Sequence, residues 1–377
     1  MSILSKLACL VAKPDTTLKM LDCEIKGHKA CLTAGCLFKM ANVTMALCKI
    51  YNHRIAGVIS EGKPGVKVSL LSNNFLQNNL AGIYLYGSGS HPKIKKNEIL
   101  ETNGIGIYCY YGTAPQIIEN LLRKNHLGIF VESAEPIIFR NEIRNCFESA
   151  VVFTTIEEIG CGGELSMCTI RENEECGVIV KGRMCNPKIY CNLEISLSKL
   201  AGIKVCERAH PVISNNLIKN NLGQGILLVE GSSAHILRND IEGNVKANIA
   251  FGGILSGDTV IEQNNIVSGR SEGIFMIEGE YALITQNVIK ENMDGILLST
   301  ASPLVSHNRI IDNKRCGIVM INSCNPKITH NKIIKNYACG ILIRQNSLGF
   351  IDKNEVIFVI VVDKGKLLSA VYSQSRE

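Results

Sequence analysis

A six-residue phrase, I-x-x-N-x-I, recurs along most of this chain at a spacing of roughly 23 residues, and a repeat of that length narrows the possible folds sharply. It is carried by KIKKNEI, QIIENLL, IIFRNEI, VISNNLI, HILRNDI, VIEQNNI, LITQNVI, LVSHNRI, KITHNKI and FIDKNEV. Their asparagines are Asn97, Asn120, Asn141, Asn216, Asn239, Asn264, Asn287, Asn308, Asn331 and Asn354. Asn73, Asn173 and Asn192 fill the same phase less cleanly: Asn141 and Asn173 stand 32 apart, Asn173 and Asn192 only 19.

Two further markers keep step with the asparagines. A small residue followed by a β-branched one comes eight to ten positions later, as in Gly82-Ile83, Gly106-Ile107, Gly225-Ile226 and Gly317-Ile318, with Ala150-Val151 and Asn248-Ile249 as variants. Seven of the nine prolines, at 92, 115, 136, 187, 211, 303 and 326, lie five positions before an asparagine. Apolar residues alternate within each short run, which describes strands, and proline is tolerated where a strand begins. A period this short, with strands and no amphipathic helix, excludes helical repeats and four-stranded propeller blades. The expected fold is therefore all-β: a right-handed parallel β-helix solenoid of about thirteen coils.

Boundaries follow from where the repeat fades. Residues 1–20 are expected to cap the first coil, 21–356 to form the coils, and 357–377 to supply a last apolar strand and a polar tail. Within such coils equivalent residues stack at the strand spacing of roughly 4.8 Å. The asparagines then form a structural ladder at a turn, paired through their amides, and the glycines open a strand where a positive φ is expected.

Composition agrees with a folded chain. Hydrophobic residues make up 46% and charged residues 20%, with 33 Gly and no Trp. The net charge of +6, from 40 Lys and Arg against 34 Asp and Glu, is spread along the chain, so no footprint for nucleic acid is expected. No segment is apolar enough to span a bilayer and the N-terminus is a poor signal peptide, so no membrane association is expected. The sixteen cysteines fall mostly at strand positions and read as reduced thiols, which places the chain in the cytoplasm, with the nucleus as an alternative.

Few residues invite chemistry. The position after the ladder offers Glu142 and Glu174 as an acidic pair, read as solvated surface. The position before it alternates in sign through Lys96, Glu119, Arg140 and Glu172, read as an ion-pair ladder. His307 and His330 on adjacent coils are read as stacked surface histidines, and Cys316 and Cys339 as neighbouring free thiols. Cys161, Cys168, Cys176 and Cys185 match no zinc spacing. No catalytic residue, metal or cofactor is assigned. The one irregular coil is expected to hold about nine extra residues between Ala150 and Asn173, making Glu157, Glu158, Gly160, Cys161, Gly162 and Gly163 the candidate binding loop.

The phrases AGIYLYGSGSHPKIKKNEI, LGIFVESAEPIIFRNEI, QGILLVEGSSAHILRNDIEGNVKANIAFGG and EGIFMIEGEYALITQNVI resemble the right-handed β-helix repeats of the F-box-only ubiquitin-ligase adaptors, over residues 73–354. That resemblance implies recognition of a partner protein, with a role in substrate recognition for ubiquitination. Wider relatives imply carbohydrate-binding or sugar-hydrolase repeats. The leading expectation is thus a non-catalytic scaffold that binds a partner protein. A polysaccharide lyase, epimerase or hydrolase, or a glycan-binding module, is the alternative, and a structural rod in a larger assembly is a third.

Overall fold

The computed structural model describes residues 8–28, 32–156, 159–255, 259–278, 282–357 and 360–362. Every described strand pairs parallel with the strand one turn away, there is no helix among the described residues, and the chain makes about 15 turns. The chain divides into two compact units, residues 1–194 and 195–377. Within each, a turn contributes one strand to each of three sheets. The turn at residues 81–100 is representative: Ala81–Tyr86 in the first sheet, Lys93–Lys95 in the second and Glu98–Leu100 in the third.

The hydrophobic pattern sets this geometry. Ile83, Ile107 and Ile129 stack in register in the first sheet, Ile94, Ile117 and Ile138 in the second, and Ile99, Leu122 and Ile143 in the third. All nine are fully buried. Each such side chain contributes roughly 1.5–3 kcal/mol by leaving water, so the core is one column of aliphatic residues per sheet, repeated.

Corners are closed by amide ladders. Asn97 donates from its backbone N–H and its Nδ2 to Oδ1 of Asn120, at 2.9 and 3.0 Å, and from Nδ2 to the Leu70 carbonyl. Asn264, Asn287 and Asn308 repeat that bonding in the second unit. The left-handed backbone falls on the residue before each asparagine, as at Lys96 (φ 56) and His307 (φ 57), so the asparagine itself is free to turn its amide inward.

A second ladder, five residues further on, escaped the sequence reading. Asn78, Asn125, Asn221, Asn244, Asn292, Asn313 and Asn336 occupy it, with Asn313 Nδ2 donating to Asn336 Oδ1 at 2.9 Å. Gly269 replaces an asparagine in this phase, and Asn248 stands where neighbouring coils have glycine. The two exchanges compensate: Asn248 fills the vacated space, accepting from Asn244 at 2.8 Å and donating to Asn292 at 3.0 Å.

The excess of turns over the expected thirteen has a related cause. Cysteine takes the first-ladder position at the N-terminal end, where Cys23 N–H meets Cys48 Sγ and Cys48 N–H meets Asn73 Oδ1. Those coils carry no asparagine signal. Strands Ala8–Ala12 and Thr17–Leu21 already pair with the next coil, and Ile360–Val362 pairs with Cys339–Ile343 at the other end.

The repeated glycines are required for space and not for φ. A Cβ on Gly82, Gly106 or Gly295 would lie 2.7, 2.6 or 2.4 Å from a carbonyl oxygen of the next coil, and none of the three has positive φ.

Candidate functional site

The irregular coil resolves a phase slip in the sequence alignment. Asn141 N–H donates to Cys168 Sγ, and Cys168 N–H donates to Asn192 Oδ1, so Cys168 is the first-ladder residue of that turn. Asn173 belongs to the second ladder, receiving the Cys146 N–H at 3.1 Å. The insertion is therefore about four residues and not nine. Glu142 consequently neighbours Thr169, not Glu174. The sign-alternating ion ladder is also partial: Glu119 pairs with Lys95 and Lys96, while Arg140 lies over the Phe139 ring and Glu172 receives Asn145 Nδ2.

Of the candidate loop, Glu157 and Glu158 lie outside the described residues. Ile156 and Ile159 form an antiparallel bridge, fastened to Ser133, whose Oγ accepts the Ile156 N–H at 2.8 Å and donates to the Ile159 carbonyl at 2.9 Å. A Cβ on Gly160 would meet the Met184 carbonyl oxygen at 3.5 Å, an ordinary contact. Cys161, Gly162 and Gly163 are part of the coil body, with Cys161 buried and bridged in register to Cys185. A hydrogen bond from the Cys185 thiol is the main cause holding the Cys161 thiol below its ordinary pKa.

Ser133, which fastens that bridge, follows directly on the most chemically distinctive surface of the first unit. In the first sheet, side chains alternate inward and outward, and the outward ones at consecutive turns are Tyr84, Tyr108 and Phe130 in one row and Glu61, Tyr86, Tyr110 and Glu132 in the next. Tyr84 and Tyr108 have ring centroids 4.9 Å apart, and Phe130 meets Tyr108 edge-on at 5.3 Å. Tyr86 donates its hydroxyl to Glu61 at 3.1 Å, and Tyr108 donates to Glu132. Burial, then the neighbouring Glu61 carboxylate, raises the Tyr86 phenol to about 12. Burial and the bond to Glu132 raise Tyr108 as well. Both phenols thus keep their protons at neutral pH, giving an aromatic shelf edged by proton donors and carboxylate acceptors.

The sequence carries a signal for this shelf, Tyr-x-Tyr in successive turns (IYLY, IYCYY), on a different sheet from the positions that flank the asparagine ladder. The remaining candidates lie apart. His307 and His330 stack with parallel rings 5.0 Å apart, and the Cys316 and Cys339 sulfurs are 2.7 Å from each other. Cys206, Glu207 and Glu230 are the one group of three ligand-type residues that converge among the described residues. A polar depression of about 570 Å³, lined by Asn52, His53, Arg54, Gln77 and Glu101 among others, opens at the corner between the third and first sheets.

Comparison with known proteins bears on these readings. Among solved structures, the periplasmic alginate epimerase AlgG superposes with a TM-score of 0.55 at 12% identity, covering 79% of this chain and 76% of that one. The A-module of the Azotobacter vinelandii mannuronan C-5 epimerase AlgE6 gives 0.51 at 13% identity, covering 83% and 88%. No curated protein matches the chain in sequence. These two structures, both named as epimerases, correct the expectation of a non-enzymatic, protein-binding scaffold, at identities that establish the fold alone. The likeness reaches the right-handed β-helix and does not extend to F-box adaptors or ubiquitination. The model of the right handed beta helix region matches residues 5–146, 106–257, 154–306 and 253–360, and the chain belongs to that family.

Proposed function

We propose that this protein acts on a polysaccharide at the tyrosine shelf of its first unit, with Tyr108 and Glu132 as the proton-transferring pair. The observation that carries the reading is their hydrogen bond on an outward aromatic surface, beside the Ile156–Ile159 bridge fastened to Ser133. Aromatic rings offer flat apolar faces to the C–H side of a sugar ring, while edge carboxylates and phenols address its hydroxyls. The protonated phenol supplies an acid and the carboxylate a base, the two groups that epimerisation, elimination or hydrolysis of a glycan each require. Support also comes from the fold, shared with enzymes named for epimerising alginate and mannuronan. The same proposal keeps the chain in a cytoplasmic or nuclear setting, on the strength of its 16 cysteines.

Turnover measured over a panel of neutral and uronic-acid oligosaccharides tests it. Tyr108→Phe and Glu132→Gln should each lower the rate by about 10²-fold or more, the usual weight of a positioned acid or base. Unchanged rates in both variants would remove the pair from the mechanism.

A further inference from the structure

On the third sheet of the first unit, Arg123, Arg144 and Arg171 stand directly above one another in register. The strand spacing puts their backbones roughly 4.8 Å apart, so three guanidinium groups rise in a line along the coil axis. Like charges this close repel unless countered. Among the described residues one carboxylate pairs with them: Glu142 Oε1 lies 2.9 Å from Arg144 Nε and 3.4 Å from Arg171 Nη2. Arg123 has no ion pair among the described residues. The Nε of Arg123 and that of Arg171 are buried with no hydrogen-bond partner, and that of Arg144 faces only the Glu142 carboxylate. Flanking turn residues do not cancel the charge, because Lys124 adds a cation beside Arg123 and Glu172 is engaged by Asn145.

We infer that this column binds a linear carboxylated polysaccharide, one carboxylate to each guanidinium. Arginine's planar fork matches a carboxylate in two parallel hydrogen bonds, which lysine cannot do. A row of three at one strand spacing suits a polymer with a regularly repeated acid, and a single small anion would leave the outer arginines uncompensated. The column lies on a different sheet from the tyrosine shelf. The choice of a glycan as the polyanion rests on the function proposed above, whereas the anion site itself does not.

The test is calorimetric titration of the full chain, with Arg123→Gln as the main variant because Arg123 has no ion pair to lose. The probes are oligouronates of one to six units, the same oligomers with carboxyls reduced to alcohols, and a single-stranded DNA oligomer. We expect oligouronate affinity to rise with length up to about three units and to fall with added salt. Arg123→Gln should lower it about tenfold, the equivalent of one charged hydrogen bond, with thermal stability unchanged. Glycan turnover of Tyr108→Phe, measured beside these titrations, reports on the shelf alone, which separates failure of the column from failure of the shelf. Equal binding of reduced and acidic oligomers, equal binding by Arg123→Gln, or preference for DNA would each overturn the assignment.

Discussion

The two units are built from the same coil but present different surfaces on it. In the first, the outward row of the first sheet reads Tyr84, Tyr108 and Phe130, beside Tyr86, Tyr110 and Glu132. In the second, the equivalent row reads Lys204, Leu227, Ala250, Phe275, Leu297, Val319 and Leu342, apolar after its first member. Inward residues are mostly isoleucine, leucine or valine in both, with Cys109 and Phe153 in the first unit and Phe251, Met276 and Met320 in the second among the buried exceptions. A stacked coil therefore constrains its interior and its corner amides at every turn, while outward positions are free to carry chemistry in one stretch and none in another. Tyrosine and carboxylate together in a few adjacent turns mark the stretch where the surface has departed from that default.

The sharpest way to break the comparison is to alter the shelf and its counterpart. Tyr108→Phe or Glu132→Gln should lower glycan turnover by about 10²-fold or more, whereas Leu297→Ala should change stability only, as read by turnover and denaturant unfolding side by side. Loss of turnover on changing Leu297 would place the chemistry elsewhere.

Ladder substitutions should reveal the units as equals. Asn120→Ala in one and Asn287→Ala in the other each strand a buried backbone N–H and a carbonyl. Each should cost roughly 2–4 kcal/mol, at about 1–3 kcal/mol for each buried group left unpaired. Gly106→Ala and Gly295→Ala should follow at about 1–3 kcal/mol, since the new methyl meets a carbonyl oxygen at 2.6 or 2.4 Å. A marked difference between units, measured as urea midpoints, would mean that the corners are not equivalent.

The smallest effect separates one turn from the rest. His53 sits in the second-ladder phase, its N–H donating to Asn78 Oδ1, with its Nδ1 buried and unpartnered. Burial holds its pKa below the ordinary value. The unfolded chain then takes up a proton that the folded chain refuses, so stability is fully present above about pH 6.5 and declines as pH falls below it. His53→Asn should remove that part of the pH dependence and make the turn like its neighbours; an unchanged profile of melting temperature against pH would assign the slope to other groups.

How much was legible follows from the same contrast. Isoleucine columns, prolines and the first asparagine ladder recur in phase, so the solenoid could be read directly. Cys23, Cys48 and Cys168 stand in for asparagine in that ladder, so the two N-terminal coils show only as a degenerate repeat and Asn173 mimics the ladder residue of the irregular turn. The second ladder was masked by its mixture of Asn, Thr102, Cys146, Ser198 and Gly269. The shelf was missed for a different reason. Its residues are defined by what they lack in common with the repeat, and Tyr108 and Glu132 become partners only when turns 24 residues apart are laid side by side.

The central claim is that a glycan lies across Tyr84 and Tyr108 with its reacting atoms at Glu132. Crystals of the Glu132→Gln chain soaked with the oligosaccharide that the unaltered protein turns over would test it most directly. The account predicts a sugar ring against the Tyr84 and Tyr108 faces with an atom in hydrogen-bond reach of residue 132. A well-ordered oligosaccharide bound on another face, with the shelf empty, would contradict it.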